Sequence, residues 1–150
     1  MNQNFIDMLA AFSRNDVEYL LVGAYAVATY GFQRMTADID LWINPTPENS
    51  PKVFQSLKDF GAPLFGSKPD SFTKENQILQ IGVEPWRIDI ITSIDGLNFK
   101  EAWQNRVKWV VGDGFFWVIS KSDLIKNKRA SGRRKDLIDL DFLENGPEEE

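Results

Sequence analysis

The chain predicts an α/β (α+β) domain on a mixed β-sheet, and three observations predict it. Helical and strand periodicities alternate in the order α-β-α-β-α-β-β-α-β-β-α-α. Residues 36–43, TADIDLWI, alternate as a strand, with Ile39, Leu41 and Ile43 on one face and Asp38, Asp40 and Trp42 on the other. Residues 106–120 read as two strands about Gly112-Asp113-Gly114, a hairpin signal.

The elements follow in order. Phe5, Met8, Leu9 and Phe12 recur at helical spacing over residues 4–14. EYLLV (18–22) reads as a buried strand ending at Gly23, and AYAVATYG as a short helix stopped by Gly31. After TADIDLWI, the segment NPTPENSPK turns into a helix with Thr46 as its expected N-cap and Pro47 at its first position. That helix runs to about Phe60 and stops at Gly61. QILQIGV (77–83) and WRIDIIT (86–92) flank Glu84-Pro85 as a hairpin, and residues 99–106 suit a short helix. Ser120 or Ser122 caps the helix LIKNKRASG, and a last helix spans about Arg134 to Leu143. The five Trp residues are expected mostly in the core or on sheet faces.

Composition narrows the chemistry. The 150 residues suffice for a single core, expected over 1–145, with residues 146–150 as an acidic, disordered tail. With no Cys, disulfides, thiolate metal sites and a Cys nucleophile are excluded; with no His, so are a Ser-His-Asp triad and His-ligated zinc. Catalysis falls to carboxylates, Lys, Arg, Tyr, Ser or Thr, and any metal is expected to be magnesium or manganese. The start has no basic n-region, and no apolar run approaches the roughly 18–20 residues that span a bilayer, so the expected location is the cytoplasm, away from membranes. The net charge of −5 argues against a whole-surface nucleic-acid binder, yet six of the 17 basic residues fall between Lys126 and Lys135. Part of that run is a solvated helix face, and part is available to meet triphosphate or an RNA backbone.

The candidate chemistry lies in three carboxylates. Asp38 and Asp40, two apart on a strand, project from the same face and repel each other unless a cation lies between them. Asp89 lies in a second strand between Ile88 and Ile90, sharing its face with Arg87. If the two strands are neighbours, the carboxylates converge as metal-assisted displacement at phosphorus requires. Asp-x-Asp alone is a weak signal, and a solvated strand end is its bland alternative. Two strands each burying a carboxylate make a shared cation the better reading. Gly23-Ala24, between a strand and a helix, lets backbone approach an anion, although a lone Gly there is more often only a turn.

These residues resemble a family. LLVGAYAVATYGFQRMTADIDLWI is similar to the first motif of the nucleotidyltransferase superfamily, in which a Gly-Gly or Gly-Ser turn precedes Asp-x-Asp by about a dozen residues. The string Arg34-x-Thr36-x-Asp38-x-Asp40 resembles the form in small bacterial members, and WRIDIIT the strand of the third carboxylate. ISKSDLIKNKRASGRRKDLIDLDFL resembles the C-terminal motif, with Lys128, Arg133, Lys135, Asp136 and Asp139 at matching places. The nearest group is the minimal domains related to AbiEii-type toxin nucleotidyltransferases. The resemblance implies a polymerase-beta-like fold and transfer of a nucleotidyl group from a nucleoside triphosphate to a hydroxyl on RNA or protein, with a toxin–antitoxin setting and a cognate toxin or antitoxin as partner. It makes Asp38, Asp40 and Asp89 metal ligands and catalytic residues, and Gly23, Ala24, Arg34, Thr36, Lys128 and Lys135 nucleotide-binding. Asp136 is at least as well explained as a clamp on the C-terminal helices. Position 24 is Ala where the pattern has Gly or Ser, which removes a possible hydroxyl donor to phosphate and leaves the backbone amide. The alternative is a catalytically inactive domain that binds nucleotide or a protein partner.

Overall fold

A computed structural model of the chain describes residues 1–32, 38–83 and 86–146. The expected order of elements is found: α1 (Gln3–Arg14), β1 (Tyr19–Val22), α2 (Gly23–Thr29), β2 (Ile39–Ile43), α3 (Ser50–Phe60), β3 (Ile78–Ile81), β4 (Ile88–Ile91), α4 (Phe99–Gln104), β5 (Val107–Val111), β6 (Gly114–Val118), α5 (Lys121–Ser131) and α6 (Arg134–Asn145). The strands form one mixed sheet in the order β3-β4-β2-β1-β6-β5. The two hairpins, β3-β4 and β5-β6, are antiparallel, as is β1 with β2. The pairs β2-β4 and β1-β6 are parallel, and each needs a long crossover between its strands.

The core sits on the central strands. Leu20, Leu21, Ile39, Leu41 and Ile43 are fully buried, and the stripe Phe5, Met8, Leu9 and Phe12 fastens α1 to the sheet side of the molecule. Asn15, at the end of α1, donates to Ser56 Oγ and Asp59 Oδ2 and so ties α1 to α3. Trp42 shares a strand face with Asp38 and Asp40, yet it is buried and meets Phe99 edge-on at 5.0 Å between ring centroids. The face that alternation marks as polar is thus covered around Trp42, and the two sides of β2 both carry core.

One local expectation is corrected, and two others are made specific. The third helix begins at Ser50, not Pro47: Thr46 Oγ1 accepts from the Asn49 amide at 3.1 Å and caps a turn, and the prolyl position inside the helix is Pro51. In keeping with the expectation for most of the Trp residues, Trp109 is a sheet-face residue, exposed because β5 is an edge strand. Trp86 is exposed before β4, and the Arg106 guanidinium lies over the rings of both Trp103 and Trp117, which meet each other edge-on. Between the two serines offered as cap for α5, Ser120 is the one used, accepting from the Asp123 amide at 3.1 Å. Residues 84–85 of the hairpin turn and residues 147–150 of the acidic tail lie outside the described residues. Among the described residues, no helix is long and apolar enough to cross a membrane.

Candidate active site

The parallel pairing of β2 with β4 sets Asp40 opposite Asp89. Equal registers on neighbouring strands put side chains on the same face, so two carboxylates from distant parts of the chain become neighbours. Asp38 is two residues upstream on that face. The cost of crowding them falls on Asp40. Burial first, then the charges of Asp89 and Asp38, push its carboxyl up to about 6, only partly offset by the charge of Lys128. A hydrogen bond with Asp89 adds to the rise.

Arg87 answers part of this charge. Its Nε donates to Asp89 Oδ1 at 2.8 Å, and its Nη2 reaches Asp89 Oδ2 at 3.1 Å and Asp38 Oδ2 at 3.0 Å. Sequence reasoning placed Arg87 on the Asp89 face but gave it no role; an Arg two residues before a strand Asp is the signal that was there to use. Gly23 closes the other side of Asp40. Its φ of +71° is one that side chains rarely adopt, and a Cβ there would collide with Asp40 Oδ2. The turn into α2 therefore lies directly against the carboxylate, with Ala24 half-buried beside it.

A cleft of about 270 Å³ opens here, lined by Gly23, Asp40, Ser93, Asn127, Lys128 and Arg133 among others. The loop after β4 forms one wall. It approaches α5 so closely that a Cβ on Gly96 would come within 2.6 Å of Ala130 Cβ, and Asn127 Nδ2 fastens it by donating to Asp95 O at 3.0 Å. Helix α5 contributes Asn127, Lys128 and Ser131, which share one side at helical spacing. Lys128 is buried and bound at 3.1 Å to both Asp136 Oδ1 and Asp139 Oδ2 of α6. Asp136 also accepts from Ser131 Oγ at 2.6 Å and Arg133 Nε at 2.7 Å. Burial pushes the Asp136 carboxyl up, but these hydrogen bonds and the Lys128 charge outweigh it and hold the group well below the usual carboxylate range. The clamp expected of Asp136 is therefore present, and it fixes the position of Lys128.

The sequence matches, over residues 3–143, the family described as nucleotidyltransferase of unknown function (DUF6036). The chain belongs to this family. No curated protein matches it significantly in sequence. Among solved structures, the nucleotidyltransferase chain resembles the lincosamide antibiotic adenylyltransferase LnuA with lincomycin bound, at a TM-score of 0.61 and 20% identity over 98% of both chains, a likeness of fold.

The fold of this nucleotidyltransferase brings Asp38, Asp40, Asp89, Gly23 and Ala24 together and sets Lys128 across the cleft. Lys135 is not brought in: it is exposed on α6 and does not line the cleft. Arg133, the residue before α6 begins, stands at the mouth instead. Arg34 and Thr36 lie outside the described residues. A larger cleft of about 490 Å³, between α1 and the β5-β6 hairpin, contains none of the predicted site residues.

The donor set suits a hard divalent ion. It offers carboxylate oxygens alone, and Asp40 is driven toward its protonated form by burial and then by its acidic neighbours, whose charge a cation would relieve. Among the described residues, no three carboxylates stand together at ligating distance; the Arg87 guanidinium lies between Asp38 and Asp89.

Proposed function

We propose that the chain is a metal-dependent nucleotidyltransferase that moves a nucleotidyl group from a nucleoside triphosphate to a hydroxyl acceptor and releases pyrophosphate. The observation that carries this reading is the β2-β4 register, which sets Asp40 against Asp89 at one edge of a cleft whose other edge carries Lys128 and Arg133. Asp38, Asp40 and Asp89 would hold magnesium or manganese. When bound, the ion neutralises charge developing on the phosphoryl and leaving oxygens. The chain's own residues do the remainder. The Gly23-Ala24 turn admits phosphate close to the backbone. Lys128, immobilised by two aspartates, and Arg133 offer positive charge to the triphosphate. The acceptor oxygen bonds to the α-phosphorus as the bond to the pyrophosphate oxygen breaks, and the acceptor proton passes to the Asp89 carboxylate.

Two sources inform the acceptor. LnuA is an antibiotic adenylyltransferase, and likeness to it across 98% of both chains favours a small hydroxyl-bearing molecule. The AbiEii-type resemblance of the C-terminal motif favours RNA or protein, within a cytoplasmic toxin–antitoxin pair. A catalytically silent, nucleotide-binding domain is the second reading, and it draws on Ala24 and on the place Arg87 takes among the carboxylates. The test is to incubate the chain with each α-labelled nucleoside triphosphate, magnesium or manganese, and separate acceptor pools of small hydroxyl compounds, RNA and protein. Label is expected to move in the wild type and not in Asp38→Ala or Asp40→Ala, with circular dichroism unchanged. Nucleotide binding without transfer to any pool supports the silent reading, and transfer undiminished in both variants sinks the carboxylate mechanism.

A further inference from the structure

The guanidinium of Arg87 stands where a shared ion would have to bond. One nitrogen, Nη2, lies 3.0 Å from Asp38 Oδ2 and 3.1 Å from Asp89 Oδ2, so two carboxylates that would hold a divalent cation are already bridged by a protein cation. The second arm of the fork, Nε, holds Asp89 Oδ1 at 2.8 Å. Asp89 is therefore gripped at both oxygens by a bidentate fork, and Asp38 shares the outer nitrogen of that fork. The backbone of Arg87 cannot follow its side chain, because Arg87 O accepts from the Ile39 amide at 3.0 Å and continues the β2-β4 ladder. The side chain is three-quarters covered, which keeps the pair strong.

We propose that Arg87 is a built-in counter-ion that holds the carboxylates in place before metal arrives and competes with the metal for Asp38. It is a positioning residue, and the inference rests on the metal reading of this site. Divalent binding then requires Nη2 to leave Asp38 while the fork stays on Asp89. The guanidinium sets the concentration at which the site loads, and it keeps the acidic pair from springing apart when metal is scarce. A residue that only braced the strand end would have no effect of this kind on metal affinity.

The test is manganese binding to the nucleotide-free chain by calorimetry and by electron paramagnetic resonance, together with the melting temperature in chelator. Arg87→Gln is expected to bind manganese about tenfold more tightly than wild type, the equivalent of one charge-assisted contact, and to melt lower in chelator. Arg87→Lys keeps the charge but cannot span both carboxylates, so it is expected to gain a smaller share of that affinity. Equal affinity in wild type and Arg87→Gln overturns the proposal while the metal reading stands, and so does weaker binding by Arg87→Gln. An Arg87→Lys affinity equal to wild type also overturns it, since charge alone would then set the threshold. If none of the chains binds manganese, with or without ATP, the metal reading fails and takes the proposal with it.

Discussion

Asp40 is the residue at which the fold works hardest against itself. Its carboxyl is raised to about 6 by burial and then by Asp89 and Asp38, so in the metal-free chain the native state binds a proton there that the unfolded chain has already released. Between the ordinary carboxylate value, about 4, and about 6, stability must therefore fall as pH rises. Denaturant melts in chelator across that window are expected to show the decline, and Asp40→Asn to flatten it and to be the more stable chain at neutral pH. A decline of the same slope in Asp40→Asn would put the proton on another group. Gly23 makes the complementary prediction. Gly23→Ala adds a Cβ that collides with Asp40 Oδ2 in a conformation alanine disfavours, so a loss of about 1–3 kcal/mol is expected, with nucleotide affinity reduced. The need for Gly at position 23 was legible as a strand-to-helix turn. That the turn is pressed against a carboxylate was not, because nothing local in the sequence says which strand pairs beside it.

At the scale of elements, the sequence served well wherever a signal is local. The order of twelve helices and strands follows from periodicity, and Ser120, Gly61 and Gly132 mark ends because capping is decided within a few residues. It served less well at the start of α3, where Thr46 and Pro47 fit a helix start as readily as the turn they form. The basic run after Lys126 shows the same limit. Composition alone ranks Lys128, Arg133 and Lys135 alike, yet helical phase and the break at Gly132 bury the first, leave the second at the cleft mouth and turn the third to solvent. Beside the Ser131 and Arg133 bonds to Asp136, the α5-α6 joint consequently contains one ammonium between two buried carboxylates. Lys128→Met removes it, and a loss of about 3 kcal/mol is expected in chemical denaturation, as for other buried pairs that lose a partner. A change below about 0.5 kcal/mol, the size usual for a surface substitution, would mean that apolar packing carries the joint. Because Asp136 is held below the usual carboxylate range, its contribution is present above that range and is lost as pH falls below it.

Across the whole molecule, the site is a product of topology. Asp40 and Asp89 are 49 positions apart in sequence (89 minus 40) and become neighbours only because β4 inserts beside β2 in the order β3-β4-β2-β1-β6-β5. Lys128 reaches the same cleft from a helix that follows the last strand. A ligand bridging Asp40 and Lys128 would therefore fasten the sheet to the C-terminal helices, and its binding energy would appear as stability of the entire chain. On the proposed function, magnesium with a nucleoside triphosphate at a hundred times its dissociation constant would add about 2.7 kcal/mol by mass action. For a chain of this length that corresponds to a rise in melting temperature of roughly 5–10 °C. Thermal scans with the magnesium nucleotide against chelator are expected to show this rise in wild type and not in Asp40→Asn, with hydrogen exchange slowing together in β2, β4 and α5. A rise that persists in Asp40→Asn would locate the nucleotide elsewhere. Slowing confined to β2 and β4 would mean that the ligand sits on the carboxylates without reaching Lys128, and that the cationic edge of the cleft serves the acceptor.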